Sequence, residues 1–105
     1  MKKFLLFRGD TFLKALRPND YKFQVNDKIH IAVMVNEYSK DYLFEEVIEI
    51  KQEQETIDIE IPASKTSTFE VGTLLLEVEI TYGDGIVKTQ QYELEVREDG
   101  IYERN

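Results

Sequence analysis

The chain of 105 residues contains no cysteine, no tryptophan and a single histidine. Without cysteine it can form neither a disulfide framework nor a thiolate zinc site, and thiol catalysis is excluded. Basic residues are scarce, because 13 Lys and Arg stand against 21 Asp and Glu and leave a net charge of −8. A surface this acidic repels phosphate backbones and anionic lipid, so we expect neither nucleic acid nor a membrane surface as a partner.

Long hydrophobic runs are also missing. The apolar run at residues 4–7 stops at Arg8, whereas a secretory h-region needs about 7–15 apolar residues and a membrane span needs about 20. We therefore expect a chain that folds in the cytoplasm without a secretion signal. Its length predicts a single domain over residues 1–105.

The dominant sequence period is two, as expected for half-buried strands. Residues 73–82 place apolar side chains on one face, and Leu75 is the only apolar residue among the polar side chains of the other. Gly83-Asp84-Gly85 then predicts a tight hairpin, with a return strand over residues 86–97. The phase of that strand changes along its length, so a bulge near Gln90 and Gln91 and a three-residue loop without a bulge both stay open.

Further strands are predicted at residues 3–7, 11–16, 28–35, 42–50 and 56–61, with a short one at 21–25 and a single helical turn near 65–69. In the third of these strands the predicted core face ends at Val35. About seven short strands with frequent turn signals predict an immunoglobulin-like antiparallel β-sandwich. A small β-barrel is the alternative fold.

Candidate catalytic and metal sites are weak. His30 has no nucleophile or orienting carboxylate beside it in the sequence, so a half-exposed strand side chain is the simpler interpretation. Arg8-Gly9-Asp10 matches an adhesion tripeptide, but Gly9 more simply lets the first strand bend or switch sheets. The many carboxylates alternate along strands and form no calcium loop. We expect no catalytic, metal or cofactor site and no enzymatic activity.

Exposed apolar side chains are the more informative candidates, because they mark surfaces that other proteins bind. Five residues are candidates for such an interface: Leu5, Leu13, Leu75, Tyr38 and Tyr42. Tyr38 and Tyr42 flank a polar turn, and tyrosine offers a large contact area at a low cost in conformational entropy.

Several sequence motifs follow one another along the chain. Arg8-Gly9-Asp10-Thr11-Phe12 lies near its start, and a predicted strand at residues 26–35 comes next. Alternating residues 56–62 are then followed by Thr66, Phe69 and Gly72. The chain closes with residues 76–80, the Asp84-Gly85 turn and residues 94–96. This order resembles the N-terminal immunoglobulin-like domain of siphophage baseplate upper proteins and similar small phage structural domains. The resemblance implies a non-enzymatic part of a virion that holds other tail proteins.

Two functional hypotheses follow. The first is a structural module of a phage or prophage tail or baseplate, with other virion proteins or further copies of itself as partners and the virion as its destination. The second is a free-standing ligand-binding sandwich for carbohydrate or a cell surface, with a calcium-dependent form as one version of it. A flat apolar patch would favour the first hypothesis, and convergent carboxylates or an aromatic platform would favour the second.

Overall fold

Seven strands and one short helix make up residues 1–98, the part of the chain that the computed structural model describes. Their bounds in chain order are β1 Lys2–Phe7, β2 Phe12–Leu16, β3 Lys28–Met34, β4 Phe44–Glu49, β5 Ile57–Ile61, α1 Ala63–Thr66, β6 Gly72–Thr81 and β7 Val87–Arg97. β5 and most of β6 coincide with runs of alternating apolar and polar residues. The all-β prediction is confirmed. Tyr102, and the rest of the predicted domain beyond residue 98, lie outside the described residues.

The strands form two sheets. The larger has the order β1-β7-β6-β3-β4, and the smaller consists of β2 and β5. No strand pairing joins the two sheets within residues 1–98, so the domain is a two-layer sandwich and not a closed barrel.

The antiparallel prediction needs one correction, because β1 runs parallel to β7 while the other four strand pairs are antiparallel. The chain leaves β1 in the larger sheet and enters β2 in the smaller one through the turn at Gly9, whose φ is +84°. That value lies in the left-handed region that glycine occupies without a Cβ clash. The predicted role of Gly9 in switching sheets is therefore confirmed.

The core lies between the sheets. Alternate residues of β6 and β3 meet the inward side chains of β2 and β5, and Phe23 and Phe69 close the ends. The core residues that are at least 98% buried include Leu6, Ile29, Ile31, Val33, Ile57, Ile59, Ile61, Leu76, Val78, Leu94 and Val96. At about 1.5–3 kcal/mol for each fully buried aliphatic side chain, this interior dominates the stability of the fold.

The β6–β7 hairpin resolves the alternative left open by the sequence. Its pairing runs without interruption from Gly72 opposite Val96 to Thr81 opposite Val87, so no bulge occurs at Gln90 and Gln91. The N–H of Gly85 donates to the carbonyl of Tyr82 at 2.8 Å, and Gly85 has a φ of +91°. A three-residue loop closes the hairpin, and Ile86 and Val87 both remain exposed instead of competing for the core.

Three local predictions were wrong. Residues 21–25 form no strand, since only Phe23 makes a bridge, to Gln54. Val35 is exposed because β3 already ends at Met34. The helical turn begins directly after Pro62, at Ala63, and ends at Thr66. It therefore lies about two residues earlier than expected, since proline favours the position before a first helical turn.

Candidate interaction face

The sheet of five strands has a second face, directed away from the core, which we call the outer face. Strand pairing arranges its side chains in rows across the sheet. One row contains Glu93, Leu75 and Met34, and the next contains Gln91, Glu77, Ala32 and Glu45. Charged and apolar residues are therefore neighbours on this face, and apolar residues occupy its middle strands.

Ala32, Met34 and Leu75 form a separate apolar cluster at the centre of the outer face. Leu75 lies directly opposite Met34 and is only 8% exposed. Its prediction as an exposed interface residue therefore needs correction. Leu75 does lie on the expected face, but neighbouring side chains shield it. What remains is a small buried apolar cluster on a sheet face whose other side chains are largely polar.

The loop between β3 and β4 reaches the edge of this cluster. Leu43 donates its N–H to the carbonyl of Val33 at 2.7 Å, which brings the loop back against β3. Tyr42 packs edge-on against the ring of His30, with ring centroids 5.6 Å apart. His30 in turn contacts the carboxylate of Glu45 through its Nε2 at 2.5 Å. His30 is thus a half-buried strand residue with a carboxylate partner from the neighbouring strand.

Carboxylates surround the apolar centre. The outer face carries Glu45, Glu49, Glu77, Glu79, Glu93 and Glu95 against the cations Lys3, Lys28 and Arg97. Arg97 lies within 3.3 Å of Glu95. A hydrogen bond from Lys51 and the charges of Lys51 and Lys28 lower the pKa of Glu49. Acidic side chains outnumber basic ones, so the face favours a positively charged partner.

The other predicted interface residues do not form one patch. Leu5, 46% exposed, lies on the outer face at strand β1, and Tyr42 lies on it at the opposite side. Tyr38 projects from the β3–β4 loop with 83% of its surface exposed. Leu13 faces solvent on the other sheet, where it pairs with Glu60. Leu5, Tyr42 and Leu75 thus share one face, whereas Leu13 belongs to the opposite side of the sandwich.

The Arg8-Gly9-Asp10 turn is held by the fold. The guanidinium of Arg8 donates to Glu98 at 3.1 Å and to the carbonyl of Ser67 at 3.2 Å. The buried hydroxyl of Thr66 accepts from the N–H of Gly9 and donates to the carbonyl of Asp10 at 2.7 Å. These contacts hold the guanidinium of Arg8 against the domain, which gives the tripeptide a structural role.

One buried carboxylate was not singled out by the sequence reasoning. Asp27 is 1% exposed and accepts three hydrogen bonds, from the hydroxyl of Tyr21, the N–H of Gln24 and the N–H of Gly83. These bonds connect the loop before β3 to the β6–β7 hairpin. The available signal was the Asn26-Asp27 pair, because Asn and Asp favour turns that use their own side chains.

A cleft of about 300 Å³ opens between the sheets beside this carboxylate, with Tyr21, Tyr82 and Tyr92 in its wall. Tyr21 packs edge-on against Tyr82, with ring centroids 4.8 Å apart, and Tyr92 stacks on Phe4 at 4.9 Å. Burial, the hydrogen bond to Asp27 and nearby negative charge raise the pKa of Tyr21, and burial raises that of Tyr92. Tyr21, Tyr82 and Tyr92 thus pack against other aromatic rings of the protein and also line the cleft.

Within residues 1–98, no group of three or more His, Asp or Glu side chains is placed to hold a metal ion. The described part of the chain also has no helix of the length and hydrophobicity that crossing a bilayer requires. Comparison with known protein families, with curated proteins and with solved structures found no match. The resemblance to phage baseplate domains therefore stays a prediction from the sequence motifs.

Proposed function

We propose that this protein is a non-catalytic structural module of a phage or prophage tail or baseplate, and that its outer face binds another virion protein. The observation that carries the proposal is the exposed apolar surface of the outer face, where Tyr42 and Val47 are 47% and 58% exposed on either side of His30. They lie near the buried cluster of Ala32, Met34 and Leu75. Exposed apolar side chains grouped on an open sheet face mark protein-binding sites.

The charge around the cluster indicates the chemistry of the partner. Glu45, Glu77 and Glu93 surround the apolar residues, so a matching surface would place Lys or Arg around an apolar centre. Charge complementarity of this kind increases association rates and excludes acidic competitors. The motif order at residues 8–12, 56–62 and 84–85 supports a virion protein as the source of that surface.

The proposal is tested on particles from the strain that encodes the chain. Phage particles are induced, purified on a density gradient and analysed by quantitative mass spectrometry. We expect the chain in a fixed number of copies per particle, in constant ratio to the tail proteins. Particles that assemble and infect without the chain would overturn the assignment to the virion.

The role of the face is tested by complementing a strain that lacks the chain. Tyr42→Lys places a cation beside His30 and should reduce incorporation into particles at least about tenfold, a loss of about 1.4 kcal/mol in binding free energy. Leu13→Lys makes the matching change on the opposite sheet and should leave incorporation unchanged. Circular dichroism confirms that both variants fold. Equal incorporation of the two variants would exclude the outer face.

The cleft at Tyr21, Tyr82 and Tyr92 is the one observation that favours the second hypothesis, a ligand-binding sandwich. Its volume is at the lower end of the range for small-molecule sites, about 300–1,000 Å³. A thermal-shift screen against mono- and oligosaccharides tests this function. A saturable stabilisation that Tyr92→Ala abolishes would support ligand binding, and no shift with any sugar would oppose it.

A further inference from the structure

The two edge strands of the larger sheet have opposite charge and equal length. Strand β1, at one edge, reads Lys-Lys-Phe-Leu-Leu-Phe, and β4, at the other, reads Phe-Glu-Glu-Val-Ile-Glu, six residues each. Within residues 1–98, β1 pairs only with β7 and β4 only with β3. Each strand therefore presents one row of backbone N–H and C=O groups that has no strand partner in the described part of the chain.

We propose that these edges pair with each other between copies, β1 of one chain against β4 of the next, so that the sheets join head to tail. The interaction goes beyond the docking role of the outer face, since it uses the edges of the sheet and the partner is a second copy of this chain. Main-chain hydrogen bonds would supply affinity, and the side chains of the two strands would set the register.

The strand directions allow this pairing. β1 is parallel to β7, and each following step across the sheet, to β6, β3 and β4, reverses direction. β4 therefore runs antiparallel to β1. A second copy placed beside the first in the same orientation brings its β4 antiparallel to β1, with both outer faces on the same side. Such an interface repeats, and it produces a ring where the rotation closes and a filament where it does not.

One register matches three consecutive side-chain pairs, on both faces of the sheet, and places Leu6 and Phe7 opposite Glu46 and Glu45 at the other end. When Leu5 lies opposite Val47, two exposed apolar residues, 46% and 58% exposed, cover each other on the outer face. The same alignment puts Lys3 opposite Glu49 and, on the inner face, Phe4 opposite Ile48. Opposite charges and apolar pairs directly across an antiparallel ladder each stabilise an established sheet.

The neighbouring registers are worse. A shift of two residues one way places Lys3 opposite Lys51, and a shift the other way places Leu5 opposite Glu45. A shift of one residue would turn the apolar residues of β4 to the wrong face. Glu46, the half-buried inward-facing acid of β4, also discourages pairing with an apolar strand that brings no cations. β1 brings Lys2 and Lys3 at one end, whereas Arg8, just beyond the other end, already binds Glu98.

The chain contains no cysteine, so single cysteines can report the pairing. Leu5→Cys and Val47→Cys are made in separate chains, at positions that are exposed in the monomer. Directly opposed residues have Cβ atoms about 4.5–5.5 Å apart, close to the about 3.5–4.5 Å of a disulfide. We expect mild oxidation of the mixed chains to give a disulfide-linked dimer of about twice 12.4 kDa.

The controls separate the possible outcomes. Leu5→Cys alone and Val47→Cys alone should give several-fold less dimer than the mixture, as should Val47→Cys mixed with Leu13→Cys. A dimer formed equally well by Leu5→Cys alone would show symmetric pairing of β1 edges and overturn the head-to-tail arrangement. A mixture that gives no more dimer than the Leu13→Cys control would also overturn it.

The unmodified chain gives a second readout. Light scattering should show a mass that rises above 12.4 kDa with concentration and falls again as salt screens Lys3 from Glu49. Lys3→Glu and Glu49→Lys should each weaken association, and the double variant should restore it. A mass that stays monomeric at every concentration would overturn the proposal. That failure would leave the outer-face proposal intact, because none of these changes alters Ala32, Met34 or Tyr42.

Discussion

The two faces of the larger sheet are built from the same strands, yet the buried side chains on the two faces have different surroundings. On β6, Leu76 is fully buried in the core, while its neighbour Leu75 is 8% exposed on the outer face. The inner face is covered by a second sheet. Within residues 1–98, no second sheet covers the outer face. The buried fraction of a single residue therefore does not show whether the residue belongs to the core or to a binding surface. The presence or absence of a second sheet over that residue does.

The largest expected effect compares these two neighbours directly. Leu76→Ala should lower the free energy of unfolding by about 3 kcal/mol, since it leaves a cavity enclosed by both sheets. Leu75→Ala should cost about 1 kcal/mol, because its site lies at the surface, where side chains and water can fill the space. Urea unfolding followed by circular dichroism measures both values. Equal losses would mean that the outer cluster is a second structural core and would argue against its role as a binding surface.

The next effect concerns the buried carboxylate. Asp27→Asn keeps the shape of the side chain but removes the charge and replaces one acceptor oxygen with an amide donor. The donors of Tyr21, Gln24 and Gly83 can then no longer all be satisfied. Hydrogen bonds to charged groups contribute about 1.5–3 kcal/mol, so we expect a loss of about 2 kcal/mol in urea unfolding. Asp58→Asn, on an exposed strand position, is the control and should change stability by less than about 0.5 kcal/mol.

Alkaline pH should lower the stability of the fold through the ionisation of Tyr21. Burial and Asp27 raise the pKa of Tyr21 in the folded state, whereas a tyrosine in the unfolded chain ionises near about pH 10. This contribution to stability is complete below about pH 10 and is lost as the pH rises above it, because only the unfolded chain then releases the proton. Thermal melts between about pH 8 and 11 should show the loss, and Tyr21→Phe should reduce its pH dependence. An unchanged profile in that variant would contradict the assignment.

The smallest expected effect lies on the outer face. The contact between His30 and Glu45 is partly exposed, with 27% and 49% of the two side chains accessible. Exposed ion pairs contribute about 0.2–1 kcal/mol, so His30→Gln should cost no more than about 0.5 kcal/mol. A double-mutant cycle with Glu45→Gln measures the coupling of the pair. A coupling above about 2 kcal/mol would make this pair part of the fold and not of an adaptable surface.

The sequence predicted the elements well where the signal was local. The alternation from Thr73 to Tyr82 and the Gly83-Asp84-Gly85 turn identified the hairpin, and Pro62 marked the end of β5. The strand prediction at residues 21–25 was wrong because the alternation of apolar and polar residues there has a different cause. Phe23 fills the end of the core and Tyr21 reaches Asp27, so a loop held by its side chains can imitate a strand.

Long-range properties could not be read from the sequence. Alternation shows that Leu75 is opposite in phase to Leu76, but not that Met34 comes to lie beside it, since residue pairing across a sheet depends on strand order. The parallel pairing of β1 with β7 was missed for the same reason. Among the five interface candidates, only the strand pairing and the ring contact of Tyr42 show that Leu5, Leu75 and Tyr42 share one face. The strand pairing also shows that Leu13 lies on the other sheet.

The parallel pair also constrains how the molecule forms. β1 and its only strand partner in the described chain, β7, lie far apart in the sequence, with Phe4 opposite Leu94. The sheet can therefore close only when both of these segments have been synthesised. Contacts between such distant residues slow folding, and until they form, Phe4 and Leu6 are accessible to chaperones. The pairing of β1 with β7 is therefore expected to be among the last and slowest steps in forming the sandwich.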